Sequence, residues 1–260
     1  MKIRNPARER LEKGGLAIGI GLRQARTVDT AVAMATLGFD WLFIDLEHSS
    51  MTLDMAVQFS VAANAAGISP LVRVPKGQYD MATRVLDGGA MGIVMPHIDT
   101  VEEAREAVDR LRFPPQGHRS VGGPFAQAAF ASASLADGTA AVNAALLIAV
   151  MVETPQAVAN ADQLAAIPGV DVLLFGTNDL TMEMGIPGEL MHPRVAAAYE
   201  TVIAACKKHG KHAGMGGIYD HPSMQKYIGM GARFILCGSD VTFLMDGALA
   251  RSGFLRGLQT

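Results

Sequence analysis

The feature that most constrains this chain is a recurrence of short apolar runs with no polar alternation. They are Ala17 to Leu22, Trp41 to Leu46, Pro70 to Val74, Met91 to Met95, Leu146 to Val152, Asp171 to Phe175, Lys211 to Met215 and Arg233 to Cys237. A strand reads this way when both of its faces are buried, as in a parallel sheet covered by helices. Most runs precede a segment of helical periodicity, including Leu53 to Ala66, Met81 to Leu86, Val101 to Leu111, Pro155 to Ala166 and Val195 to Lys208. Parallel strands joined by crossover helices follow from that alternation. Eight units in 260 residues predict a single α/β domain over 1–260, a TIM (β/α)8 barrel, ahead of a doubly wound open sheet. Two connections are long, 112–145 and 181–193. Both are read as insertions after strand C-termini and hence as lid or interface candidates, the first packing at a subunit interface near the barrel mouth.

Composition excludes several classes. Half of the residues are hydrophobic and 18% are charged, which rules out disorder or coiled coil for the whole chain. A net charge of −3 offers no electrostatic reason for a nucleic-acid or anionic-membrane partner. Cys206 and Cys237 have no zinc-ligand spacing and form no disulfide framework, so a reducing cytoplasm is expected. The segment from Met1 to Gly15 is charged and lacks a signal-peptide run, and no segment reaches the ~20 apolar residues of a membrane span. A soluble cytoplasmic protein is the expectation.

In such a barrel, chemistry belongs where strands stop. The second run ends in Ile44-Asp45-Leu46-Glu47-His48, the third supplies Arg73, the fifth Glu153, and the sixth leads into Gly176-Thr177-Asn178-Asp179. Each group also has a structural reading: Asp45 or Glu47 facing the helix layer, His48 capping a segment, Thr154-Pro155 opening a helix, Asn178-Asp179 capping a turn. Taken together they put an arginine, an imidazole and several carboxylates at one mouth, which favours a site. Glu153 and Asp179 form an oxygen-rich pair suited to Mg²⁺ or Mn²⁺. The amides of Gly176, Thr177 and Asn178 offer a nest for a small carboxylate, and Arg73 adds a fixed cation. Asp45 is expected to orient His48 as a base. Metal, anion clamp and base together describe enolate stabilisation.

These residues resemble the HpcH/HpaI family of metal-dependent pyruvate aldolases over nearly the whole chain. The likeness is carried by Phe39 to His48, Pro70-Leu71-Val72-Arg73, the Phe113 to Gly122 stretch, Val152-Glu153-Thr154 and Gly176 to Leu180. The resemblance implies a barrel with a swapped final helix, a homohexamer, and reversible cleavage of a 4-hydroxy-2-oxo acid to a pyruvate-type donor and an aldehyde. It implies Glu153 and Asp179 as ligands of Mg²⁺, Mn²⁺ or Co²⁺, and His48 as base with Asp45 as partner. It also implies Arg73 on the enolate and Glu47 beside metal-bound water. Met151 stands where many relatives carry Gln, and His118 and Ser120 replace an aliphatic residue and Gly. The Phe39 to His48, Arg119 to Gly122 and Gly214 to Tyr219 stretches are similar to relatives described as hydroxypyruvate or sugar-acid aldolases. Three other functions fit parts of the pattern: an oxaloacetate-type decarboxylase, a non-catalytic oxo-acid binding protein, and a Schiff-base aldolase using Lys76.

Overall fold

The computed structural model describes residues 3–258; Met1, Lys2 and the last two residues of the expected domain lie outside the described residues. Strands β1 (Ala17–Leu22), β2 (Trp41–Asp45), β3 (Ser69–Arg73), β4 (Gly92–Met95), β5 (Leu147–Val152), β6 (Val172–Gly176), β7 (His212–Gly216) and β8 (Phe234–Ser239) pair in parallel. Pairing of β8 with β1 closes the barrel in chain order. All eight apolar runs form strands, with ends displaced by a residue or two. The helices are α1 (Pro6–Glu12), α2 (Asp29–Thr36), α3 (Leu53–Ala66), α4 (Tyr79–Asp87), α5 (Val101–Leu111) and α6 (Leu135–Ala145). They continue with α7 (Pro155–Ala159), α8 (Ala161–Ala165), α9 (Thr177–Glu183), α10 (Pro193–Lys208), α11 (His221–Met230) and α12 (Asp240–Gly257). The expected helix from Pro155 to Ala166 is split at Asn160, whose side-chain amide donates to the Asp99 carbonyl at 2.7 Å.

Strand parity sorts the side chains into two cores. Trp41 and Phe43 of β2, Leu71 of β3, and Leu147, Ala149 and Met151 of β5 fill the barrel interior. Their neighbours Leu42, Ile44, Val72, Ile148, Val150 and Val152 pack outward against the helices. Continuing the same period of two carries Asp45, Arg73 and Glu153 inward at the C-terminal rim. Trp41 occupies the barrel centre, stacked on Phe234 at 4.0 Å and donating to the Ala17 carbonyl at 3.1 Å. Only a glycine fits at position 19, because any Cβ there would enter the Trp41 ring.

The other end is closed by α1, a helix that apolar patterning does not reveal. Its Ala7 and Leu11 join the interior core, and Asn5 donates to the carbonyls of Met91 and Ala145 at 3.0 and 2.7 Å. The barrel therefore opens at the strand C-termini.

The 112–145 insertion does not lie near that mouth. Helices α4 and α5 run against the strands, so their last residues sit at the N-terminal rim, where the insertion begins. Arg112 donates to the carbonyls of Gly169 and Asn143, Arg119 pairs with Asp87 at the end of α4, and Gln127 bonds the carbonyls of Leu86 and Ala90. A lid position over the mouth is thus corrected to a brace on the opposite rim. The 181–193 segment does lie on the strand-end side, between α9 and α10.

Helix α12 leaves the barrel. Ser239 and Thr242 cap its start reciprocally, yet none of its residues is buried, and Leu244, Met245, Leu249, Phe254 and Leu255 are exposed. None of the described helices is long and apolar enough to cross a membrane.

Candidate active site at the barrel mouth

A cavity of about 220 Å³ opens at the C-terminal rim. Among the residues lining it are Arg23, Phe43, His48, Arg73, Asp179 and Tyr219. That volume suits a small acid and is below the range of drug-sized ligands.

Arg73 and Asp45 are direct neighbours in the β2–β3 register. Arg73 binds both Asp45 oxygens through Nε and Nη2, at 2.9 and 2.7 Å. Its guanidinium also lies over the Phe43 ring, 4.0 Å from the Met151 sulfur and 3.1 Å from Glu47 Oε2. Asp45 Oδ1 accepts the backbone amides of Glu47 and His48 as well, at 3.0 and 3.2 Å. Burial pushes the Asp45 carboxyl up, but Arg73 and the two amides outweigh it and hold it below the usual carboxylate range. The expected Asp45–His48 ring pairing is corrected accordingly. Asp45 meets His48 through its backbone, while the His48 ring stands at the rim with Nε2 3.7 Å from Glu47 Oε2.

Glu153 is buried at the end of β5, and Thr154 caps α7 with Pro155 in its first turn, so the helix-opening reading holds for Thr154-Pro155 without engaging the Glu153 side chain. Glu153 Oε2 accepts the His97 amide at 2.7 Å and lies 3.1 Å from His97 Nδ1. Burial raises the Glu153 carboxyl above its ordinary range against the lowering effect of His97, and the nearby Asp179 charge adds to the rise. Gly176 is required here, because a Cβ would stand 2.6 Å from Glu153 Oε1. Asp179 sits in the first turn of α9 and lines the cavity. Gly176, Thr177 and Asn178 line it too, but the Thr177 hydroxyl points away, bonded to Tyr199 Oη at 2.8 Å and the Gly216 carbonyl at 2.7 Å. Thr177 therefore offers a ligand only its backbone.

Among the described residues no three His, Cys, Asp or Glu side chains gather into a metal-holding cluster. The donors present still suit a hard divalent ion: two carboxylates, Glu153 and Asp179, with the remaining positions left to water and substrate. A further sign is Glu47 Oε2, buried and without a hydrogen bond although Arg73 is near. Such an orphan acceptor calls for a water or ligand.

Sequence inspection missed His97, Arg23 and Tyr219. His97 follows β4 by two residues and adopts a positive φ of 54°, which places its amide on Glu153. Arg23 and Tyr219 follow β1 and β7. The strand-end rule applied to every strand finds all three.

The sequence profile described as HpcH/HpaI aldolase/citrate lyase matches residues 24–247. The chain belongs to the HpcH/HpaI family. It is 38% identical to a 4-hydroxy-4-methyl-2-oxoglutarate aldolase of Hapsidospora irregularis, covering 98% of this chain and 96% of that one. It is 36% identical to the 2-keto-3-deoxy-L-rhamnonate aldolase of Escherichia coli (strain K12), over 93% and 90% of the two chains. The crystal structure of an HpcH/HpaI aldolase from Desulfitobacterium hafniense DCB-2 superposes with a TM-score of 0.91 at 30% identity, covering 96% of each chain. Within this family the chain is an aldolase, a carbon–carbon lyase. Lys76 lies apart from the mouth cavity and pairs with Glu103 at 2.7 Å, which leaves a Schiff-base route without its amine.

Proposed function

We propose that this protein is a divalent-metal-dependent aldolase that reversibly cleaves a 4-hydroxy-2-oxo acid into a pyruvate or hydroxypyruvate donor and an aldehyde or related carbonyl acceptor. The observation that carries the reading is that Asp179 and the buried Arg73 line one small cavity, with the buried Glu153 carboxyl near enough to feel both of their charges. Glu153 and Asp179 would hold the ion, which supplies Lewis-acid polarisation of the 2-oxo acid. Arg73, locked by Asp45, presents a fixed positive charge where the enolate develops, so little reorganisation is needed during the reaction. The backbone from Gly176 to Asn178 receives the substrate carboxylate. His48 takes the proton of the C4 hydroxyl as the C3–C4 bond breaks, with Glu47 as the carboxylate beside its ring.

The assembly we propose is a homohexamer in which α12 docks on a neighbouring subunit, supported by the apolar residues it exposes. A cytoplasmic setting is proposed from the two free cysteines. Chelation should abolish cleavage, and Mg²⁺, Mn²⁺ or Co²⁺ should restore it. Full activity after exhaustive chelation, or inactivation by borohydride only when substrate is present, would replace the metal-enolate reading with lysine chemistry.

A further inference from the structure

The contacts that fix the Glu153 carboxylate come from a single residue. Oε2 accepts the His97 amide at 2.7 Å, and the His97 ring stands against the same oxygen with Nδ1 3.1 Å away. No other described residue donates a hydrogen bond to this carboxylate. Oε1 is left free of protein donors. It faces Gly176, where a Cβ would come within 2.6 Å of it, and Gly176 is the residue from which α9 and Asp179 start. Asp179 is close enough for its charge to act on Glu153. One oxygen is therefore held by His97, and the other is offered toward the second carboxylate of the pair. His97 owes this reach to its backbone. Two residues beyond β4 it adopts a φ of 54°, a conformation shared among the described non-glycine residues only by Ala129 and Phe130. Such backbones cost about 1–3 kcal/mol and persist where the surroundings over-determine them, often at functional sites. The ring also spans the site, because Nε2 lies 3.9 Å from Glu47 Oε1, the partner of the buried Glu47 oxygen that lacks a hydrogen bond.

We propose that His97 is a positioning residue for the metal centre: by holding Glu153 Oε2 it leaves Oε1 as the one oxygen that ligates, and keeps that oxygen turned toward Asp179. The inference rests on the metal-dependent reading above and adds to it a residue outside the ligand pair. A carboxylate gripped at one oxygen has lost most of its rotational freedom before the ion arrives, so binding has less order to impose. Partners that hydrogen-bond a ligating side chain orient it and tune it, and their loss lowers metal affinity roughly 10- to 100-fold.

The test is a titration of the chelator-stripped full-length protein with Mn²⁺ in the absence of substrate, the free ion being counted by electron paramagnetic resonance. His97→Ala deletes the ring and keeps the amide, so it should raise the Mn²⁺ Kd roughly 10-fold, the low end of the range, because one of the two contacts survives. His97→Asn, which also tolerates a positive φ and carries a side-chain N–H, should recover part of the loss. In cleavage assays the Mn²⁺ concentration giving half-maximal rate should rise with Kd while kcat at saturating Mn²⁺ is retained. Stripped variants that melt together with the unaltered protein support the reading. A Kd that His97→Ala leaves unchanged overturns the proposal. So does a loss that accompanies a lower melting temperature of the stripped protein and is not recovered by His97→Asn, since His97 would then be scaffold alone. Glu153→Gln separates the two readings. If it too leaves Mn²⁺ binding unchanged, Glu153 is no ligand and the metal assignment falls with the proposal, whereas a loss in Glu153→Gln with none in His97→Ala removes only the role of His97.

Discussion

Asp45→Asn is the most informative single substitution, because the structure assigns Asp45 a partner that sequence spacing does not. The Asp45 side chain is fully buried and that of Arg73 nearly so, and two of the four hydrogen bonds to the carboxylate come from Arg73. Asparagine retains an oxygen for the two amides but turns an NH₂ group toward Arg73. Removing one member of a buried ion pair costs about 3–5 kcal/mol. Glu47, 3.1 Å from Arg73, still compensates part of the charge, which places the expected loss near ~3 kcal/mol at the low end of that range. For a chain of this size such a loss lowers Tm by roughly 6–12 °C. Trp41, the single tryptophan and fully buried in the barrel, reports unfolding by fluorescence in a denaturant titration. Arg73→Met and the double substitution complete a cycle in which the double variant should be more stable than the two single losses added together. The sign with pH is also fixed. Because the folded carboxyl titrates below its ordinary value, its contribution is present above about pH 4 and fades as pH falls through the folded value, so the difference between the two proteins should shrink there. A loss under ~1 kcal/mol with no coupling to Arg73, together with a fall in kcat, would return Asp45 to the role of His48 ring partner.

His48→Ala should reduce cleavage of a 4-hydroxy-2-oxo acid by roughly 10²- to 10⁴-fold, while metal-dependent decarboxylation of oxaloacetate, which releases no hydroxyl proton, continues. Parallel loss of both activities in the same kinetic assay would remove the hydroxyl-base role. Charging the exposed face of α12 with Leu244→Asp and Leu249→Asp should convert the proposed hexamer to smaller species in light scattering with an unchanged circular dichroism spectrum. An assembly that withstands both changes would show that α12 is not its connector.

The barrel was legible because strands covered on both sides cannot alternate, so each appears as an apolar run. Direction along the barrel was harder to read. The 112–145 insertion is long and rich in Ala, Gly and Pro, but nothing in its composition says which rim it occupies; the antiparallel course of α5 decides that. Helix α1 escaped notice because it spans two turns and buries only Ala7 and Leu11 among charged neighbours. The positions of Asp45, Arg73 and Glu153 were legible from strand parity. His97 was not singled out, although it follows β4, because its decisive contribution is a backbone amide presented by an unusual φ.

The pairing of charges within the site lay beyond sequence inspection for a different reason. Asp45 and His48 are three residues apart, so local spacing suggests a carboxylate–imidazole couple. Asp45 and Arg73 are separated by 28 residues and meet only because β2 and β3 align them in register. Between neighbouring strands, cross-strand register outweighs proximity in the chain, and a planar guanidinium matching both carboxylate oxygens wins over an imidazole at an exposed rim. That outcome propagates through the site. With Asp45 satisfied by Arg73, the His48 ring turns to Glu47, and Arg23 is left with donors that no protein carboxylate fully uses. The exposed cation at the mouth thus follows from the same pairing that secures the cation on the floor.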